Sequence, residues 1–345
     1  MLNSRTEILI NMKTFVIAEA GANHDRNFDQ ATTLIDVAKR SGASAVKFQT
    51  YSSETMYCKN TPDFAGYKNI NQLIKDIELP REWQKDLKQY CDETGIEFMS
   101  TPFDEQAVQE LVDIGVKRLK ISGFESTDMR FVEMVASSKL PLIISLGIGF
   151  TNELMNKILK IRDKYDNDIS LLHCNNAYPT PMSDVGLVRM SLLRDWCYMK
   201  GVSKIGLSDH TTSTLTPSLA VAKGADIIEK HFTISRSLSG PDHKFALEPD
   251  ELAEMVDLIK QTEETLVTHN SLYSESEKPF IHARRSVVSK RKIYEGEKLS
   301  EENITTKRPF LNGMISASEY QDVTGLSTLC DIEEDMPIKE NYVSR

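Results

Sequence analysis

The sequence predicts an α/β fold, a (β/α)8 TIM barrel followed by a small C-terminal domain of irregular and β structure. Three observations carry that reading. Eight short apolar runs alternate with amphipathic helical patterns over about 250 residues, the span of one such barrel. Most of the runs turn polar on one face near their C-terminal ends. After residue 260 the alternation stops, and a polar stretch leads into a tail with a weak internal repeat.

The runs, in order, are FVIAEAG (15–21), AVKFQT (45–50), EFMSTP (97–102), RLKIS (118–122), LIISLG (142–147), SLLHC (170–174), IGLSDH (205–210) and DIIEKHF (226–232). Between them lie helical patterns such as FDQATTLIDVAKRSG (28–42), EWQKDLKQYCDETG (82–95) and DEQAVQELVDIG (104–115). These end in Gly, as helix C-termini often do. An open doubly wound sheet is the competing architecture. It usually carries a glycine-rich phosphate turn after its first strand, and EAGANHD has no G-x-G-x-x-G.

Side chains alternate faces along a strand. Ile17, Glu19 and Gly21 therefore share a face of the first run, and Lys47 and Gln49 share one of the second, opposite Val46 and Phe48. Lys120 and Ser122 oppose Leu119 and Ile121, and Ser145 opposes Ile144 and Leu146. Ser208 sits with His210, and Glu229 with His231 against Ile228 and Phe232. One face packs the helices. The other turns polar at the strand ends where barrel enzymes hold their active sites. DIIEKHF carries three consecutive ionisable residues, which a buried strand tolerates only when they are paired or used. Glu229 and His231 are expected in the barrel mouth. Lys230 is expected on the other face, its stem packed and its head reaching water.

In the tail, QTEETLVTHNSLYSESEKPF (261–280) reads as a helix end and a polar linker. KIYEGEKLSEENI (292–304) and DIEEDMPIKENYV (331–343) then repeat one pattern of apolar residue, acidic turn, apolar residue, acidic helix start and apolar residue. Two copies of one small unit imply a compact domain with a pseudo-twofold, suited to bind, cover or dimerise. The expected divisions are a barrel over 1–267, a linker over 268–283 and a C-terminal domain over 284–345.

The chain has 345 residues and a net charge of −10, which argues against a nucleic-acid partner. A local lysine cluster can still attract a small anion against the global sign. The cysteines, Cys58, Cys91, Cys174, Cys197 and Cys330, are odd in number and form no CxxC pair, which fits a reducing cytoplasm. The start, MLNSRTEILINMKTF, is too polar for a signal-peptide core. No apolar run approaches the ~20 residues that span a bilayer. A soluble cytoplasmic protein is expected, without membrane contact.

His210 and His231 end adjacent strands, beside Asp209, Glu229 and Asp242. Neutral imidazole is a common divalent-metal ligand. Two nitrogen ligands alone leave the shell to water and substrate, which suits a catalytic Mn²⁺-like or Mg²⁺-like ion better than a closed zinc site. The competing reading is two unrelated buried histidines. Lys47 and Lys120 lie inward near strand ends, with Thr101, Ser145, Asn176 and Ser208 at comparable positions. Together these form a cradle for phosphate and carboxylate. The lysines could instead pair structurally with Glu19 and Glu125, or one could form a Schiff base as in class I aldolases. Glu19 and Glu125 are inward acids able to orient hydroxyls or relay a proton. NNAYPTP (175–181) is a tight turn that positions Asn176 and Tyr178 and can hold a cis peptide.

These residues stand within IAEAGANHDRN, AVKFQTY, STPFD, HCNNAYPTP, GLSDHT, EKHFT and GPDHKFALEP, followed by ARRSVVSKRKIYEGEKLSEENI and KRP. The ordered set resembles the sialic acid synthases over almost the whole chain. The tail is similar to their antifreeze-like SAF domain. The resemblance implies condensation of phosphoenolpyruvate with an N-acylated amino sugar to a nine-carbon 2-keto acid and phosphate, a transferase reaction. It implies that His210 and His231 hold a divalent ion, Mn²⁺ first, with Mg²⁺ or Co²⁺ as alternatives. Lys47, Thr101, Lys120, Ser145, Asn176 and Ser208 would bind phosphoenolpyruvate. Glu19 and Glu125, with the two histidines, would form the catalytic set. Gln49, Tyr178, Asp242 and Arg308 would meet the sugar, Arg308 from the tail of the partner in a domain-swapped homodimer.

The sequence departs from that pattern in KISGFE (120–125), where Phe124 replaces a glycine as in the pseudaminic acid synthases, and in KRPFLNGMISA (307–317). In that family both changes border the sugar end. The sugar the resemblance implies is N-acetylmannosamine or a 2,4-diacetamido-trideoxyhexose. A Schiff-base aldolase on the same barrel and a non-catalytic sugar-binding protein are the alternatives.

Overall fold

Strands β1 (Phe15–Gly21), β2 (Ala45–Thr50), β3 (Glu97–Pro102), β4 (Leu119–Ile121), β5 (Leu142–Leu146), β6 (Ile169–Cys174), β7 (Lys204–Asp209) and β8 (Ile227–His231) form one sheet in the computed structural model. The structure describes residues 13–63, 66, 68–202, 204–267 and 271–344. The polar start of the chain, residues 1–12, lies outside them. The strand order is β3-β2-β1-β8-β7-β6-β5-β4, and every pairing is parallel. β1 next to β8 nearly closes the ring. β4, three residues long, lies beside β3 without a hydrogen-bonded ladder. There Arg118 bridges to Glu97 of β3 at 2.7 Å.

Seven helices return the chain between strands, α1 (Phe28–Arg40), α2 (Trp83–Thr94), α3 (Glu105–Asp113), α4 (Met129–Ala136), α5 (Asn152–Tyr165), α6 (Leu187–Met199) and α7 (Leu215–Ala222), and an eighth, α8 (Pro249–Thr265), follows β8. Two shorter helices, Ser53–Met56 and Ile70–Ile77, occupy the β2–α2 connection. The starts are set by caps. Asn27, Asp104, Asp128 and Thr151 each accept from a main-chain N–H of the first turn, satisfying donors the helix leaves open. α2 ends on Gly95 at φ 75, a left-handed conformation that favours glycine.

The strands bury both faces. Val16, Ala18, Val46, Phe48, Phe98, Ile144, Leu171, Leu207 and Ile228 belong to the layer under the helices. Ile17, Ala45, Met99, Ile143, Leu172 and Ile227 form a separate cluster inside the ring. Period-two alternation sends one set outward and the other inward. The inner cluster is the barrel floor, and the polar residues farther along the same faces stand above it.

Thr268–Arg345 is a second unit, distinct from Met1–Val267. In the expected linker, 268–270 lie outside the described residues and Lys278–Ala283 is a 3-10 turn. Among its described residues the unit has one antiparallel strand pair, β9 (Ser286–Ser289) with β10 (Ile304–Lys307), a four-residue helix at Tyr320–Val323, 3-10 turns at Ala317–Glu319 and Glu340–Tyr342, and isolated antiparallel bridges. Its core holds Ile293, Leu299 and Ile304 from the first copy of the repeat and Ile332, Ile338 and Val343 from the second. The copies meet at an antiparallel bridge between Ile293 and Ile332. The five cysteines are free. Among the described residues no helix is long and apolar enough to cross a membrane.

Candidate active site

Above the barrel floor the inward faces of β1, β2, β3, β4, β5, β7 and β8 assemble a buried cage of charges. Glu19 and Lys47 are in register on β1 and β2, and their carboxylate and ammonium are 2.6 Å apart. Lys47 also donates to Thr101 Oγ1 at 2.9 Å, and Gln49 donates to Glu19 at 2.7 Å. On the other side Lys120 donates to Ser145 Oγ at 2.8 Å. Glu229 lies between the two lysines, 3.3 Å from Lys120 and 3.7 Å from Lys47. Ser208, its register partner on β7, donates to it at 2.9 Å.

Burial sets the protonation pattern, because it penalises the charged form of every member. It pushes Glu19 up to about 7 against the pull of Lys47. Glu229 is penalised too, but Lys120 and Lys47 outweigh burial and hold it at about 2. For Lys47 burial is overcome by Glu19 and Glu229, so its pKa rises. For Lys120 burial prevails over Glu229 and its pKa falls. One carboxylate is thus firmly ionised, and its neighbour can hold or release a proton near neutrality.

The imidazoles of His210 and His231 lie side by side, with ring centroids 5.5 Å apart. His210 Nδ1 is 2.6 Å from the Asn175 carbonyl. A carbonyl only accepts, so Nδ1 carries the proton and Nε2 keeps its lone pair. His231 Nδ1 is buried without a hydrogen-bond partner and lies 3.9 Å from Asp242 Oδ2. Burial drives the pKa of His210 down and that of His231 well down, the latter aided by His210. Both rings are neutral at physiological pH, the form that binds metal. An orphaned buried nitrogen beside a second imidazole and a carboxylate fits a divalent ion. Among the described residues no group of three His, Cys, Asp or Glu side chains is close enough to hold one unaided. Water or substrate would have to complete its shell.

The other expected residues flank these two clusters. Tyr178, half exposed, has its ring 4.2 Å from that of His210 and precedes the cis peptide Tyr178–Pro179. Asn176 Oδ1 accepts from the Ile148 N–H at 2.8 Å. It fits there because Gly123 and Gly147 lack side chains: a Cβ on Gly147 would stand 1.9 Å from Asn176 Oδ1. Asp242 accepts from the Ala22 N–H at 3.4 Å. Glu125 lies in a 3-10 turn, accepts from Ser122, and is raised by burial. Arg308 is exposed in the second unit, just before the cis peptide to Pro309.

Two expectations need correction. The structural partner of Lys120 is Glu229, not Glu125. Glu125 follows the strand in a turn of its own, whereas Glu229 on β8 reaches Lys120 on β4 across the barrel mouth. The alternation in DIIEKHF places Glu229 inward, but nothing local shows that both lysines converge on it. Lys230 does not reach water. Its side chain is 1% exposed, with Nζ 2.6 Å from Asp209, because the helix-side layer closes over it.

The NeuB family profile matches residues 34–271 and the SAF domain profile residues 284–343. The chain is 39% identical to N,N'-diacetyllegionaminic acid synthase of Legionella pneumophila, over 91% of this chain and 90% of that protein. It is 33% identical to a pseudaminic acid synthase of Campylobacter jejuni, over 95% and 96%. Among solved structures it is similar to the N-acetylneuraminic acid synthetase of Leptospira borgpetersenii in complex with citrate. That match has 34% identity and a TM-score of 0.70, over 78% of this chain and 90% of the other.

Proposed function

The chain belongs to the NeuB family and carries a SAF domain, and from that membership we propose that it condenses phosphoenolpyruvate with an N-acylated amino sugar. The products are a nine-carbon 2-keto acid of the sialic acid type and phosphate. The observation that carries the reading is the meeting of Lys47 and Lys120, with Thr101 and Ser145 as their hydroxyl partners, in one buried cage beside two neutral imidazoles. Relatives named for legionaminic acid at 39% and 37% identity favour a 2,4-diacetamido-trideoxyhexose over N-acetylmannosamine.

In this reading Lys47 and Lys120, with Thr101, Ser145, Asn176 and Ser208, hold the phosphate and carboxylate. The vinyl carbon then faces the sugar aldehyde in a near-attack geometry. Carbon 3 of phosphoenolpyruvate bonds to the aldehyde carbon, water adds at carbon 2, and the resulting tetrahedral centre expels phosphate. His210 and His231 would hold a divalent ion, Mn²⁺ in the first place. When bound, such an ion supplies Lewis-acid polarisation of the aldehyde oxygen. Glu19, poised near neutrality, serves to exchange a proton with a reacting oxygen. Glu229 stays ionised and keeps the lysines charged until the anionic substrate arrives. Glu125, Gln49, Tyr178 and Asp242 face the sugar. Arg308 meets its N-acyl group from the partner in a domain-swapped homodimer.

The test is phosphate release from phosphoenolpyruvate with Mn²⁺, with and without chelator, against N-acetylmannosamine and the two diacetamido sugars leading to legionaminic and pseudaminic acid. Release with one diacetamido sugar, abolished by chelator, is expected. Full activity in metal-free buffer would overturn the metal role. Lys120, its ammonium disfavoured by burial, is the lysine a Schiff-base aldolase would use. Borohydride trapping of pyruvate on it would replace the synthase reading.

A further inference from the structure

The β7–β8 ladder carries two rows of side chains. Ser208 and Glu229 face the barrel interior, followed by His210 and His231. Between them, on the helix side, Asp209 and Lys230 stand in register. The Lys230 ammonium donates to Asp209 Oδ2 at 2.6 Å, to Thr211 Oγ1 at 3.1 Å, and to the Thr211 carbonyl. Asp209 in turn accepts from the Thr211 N–H and from its hydroxyl, both at 3.0 Å. The N–H, carbonyl and hydroxyl of Thr211 are therefore all fixed, one residue after His210. His210 is held from the other side by the Asn175 carbonyl on its ring and by the Thr180 N–H, which donates to its carbonyl at 2.9 Å.

An ion pair is a poor way to stabilise this layer. Leu207, Ile228 and Phe232 beside it are buried apolar residues, and well-packed apolar side chains of similar volume often replace a buried pair without loss. What apolar residues could not do is bond the main chain of Thr211 where the chain leaves the sheet. We infer that Lys230 is a positioning residue: with Asp209 and Thr211 it fixes the exit of β7, and so fixes the orientation and Nδ1–H tautomer of His210. The partner on a histidine ligand's second ring nitrogen typically sets metal affinity or activity by 10–100-fold. Here that partner is the Asn175 carbonyl, and Lys230 acts on its bond through the position of His210.

The inference rests on the proposed metal role of His210 in its binding readout, and not in its tautomer readout. Lys230→Met alone would leave Asp209 charged and unpaired. Lys230→Met combined with Asp209→Asn removes both charges while an amide oxygen remains for the Thr211 N–H. The full-length, metal-free double variant is examined by thermal unfolding and by nitrogen NMR of labelled histidines, with His210 identified by comparison with His210→Gln. Mn²⁺ is then titrated by electron paramagnetic resonance. The expected result is a Tm within a few degrees of wild type, mixed tautomers at His210, and an Mn²⁺ Kd weakened about 10–100-fold. A folded double variant with the wild-type tautomer and wild-type Kd overturns the proposal. If the wild type itself binds no Mn²⁺, the metal reading falls and the NMR signal alone decides the positioning role. If the double variant does not fold, Thr211→Val decides on the same readouts, and an unchanged His210 signal overturns the proposal.

Discussion

Replacing Glu229 by Gln is expected to destabilise the barrel by about 3 kcal/mol at pH 7, and by less in acid. Glu229 is buried between Lys120 at 3.3 Å and Lys47 at 3.7 Å. Burial alone would raise its pKa, yet these partners hold it at about 2, against an ordinary 4.5. At about 1.4 kcal/mol per unit, the difference corresponds to about 3 kcal/mol of stabilisation, in line with the cost of breaking a buried ion pair. The folded pKa lies below the unfolded one, so the unfolded chain binds more protons between pH 4.5 and 2. The contribution is complete above pH 4.5 and is lost as pH falls through 2. Compared between pH 4.5 and pH 3, where Glu19 stays protonated in the folded chain, the gap between wild type and variant should therefore shrink. Any fixed difference in packing between Glu and Gln cancels from that comparison. Urea unfolding at the two pH values measures it, followed by fluorescence of Trp83 and Trp196, both in the barrel unit. A variant as stable as wild type at pH 7, or a gap that does not change with pH, refutes the reasoning.

Lys120→Met removes one ammonium from the cradle. It is expected to raise the KM for phosphoenolpyruvate roughly 10–100-fold, the worth of a hydrogen bond to a charged group, in steady-state phosphate release. Gly147→Ala would drive a methyl group to 1.9 Å from Asn176 Oδ1. The displaced amide should cut kcat/KM on the order of 10²-fold, and the contact of the same methyl with the Gly123 backbone at 3.0 Å should lower Tm as well. His231→Ala should abolish turnover yet stay folded, since its Nδ1 has no partner to lose. Because the folded His231 pKa is depressed, wild type loses stability as pH falls below 6.5, where the unfolded chain gains the proton. The variant should lose less between pH 7 and 5 in the same urea assay.

The sequence by itself determined the strands, because a barrel strand buries one face on the floor or mouth and the other under helices. That alternation shows in seven or fewer residues. EAG, AVKFQT and IGLSDH thus place Glu19, Lys47, Gln49, Ser208 and His210 on the inward faces by alternation alone. Helix starts were equally local, since Asn27 and Asp104 cap with their own side chains. The tail repeat was legible because Ile293, Leu299 and Ile304 and their counterparts recur at matching positions, and the two copies share one core. Tertiary structure alone decided who pairs with whom. Glu229 is distant in sequence from Lys47 and Lys120, and the meeting of all three depends on ring closure through β1 and β8. The fate of Lys230 was likewise not local. A lysine on the outer face of a strand end reaches water or is sealed in according to the helices that cover it. Here they sealed it, and Asp209 and Thr211 became the partners its charge required.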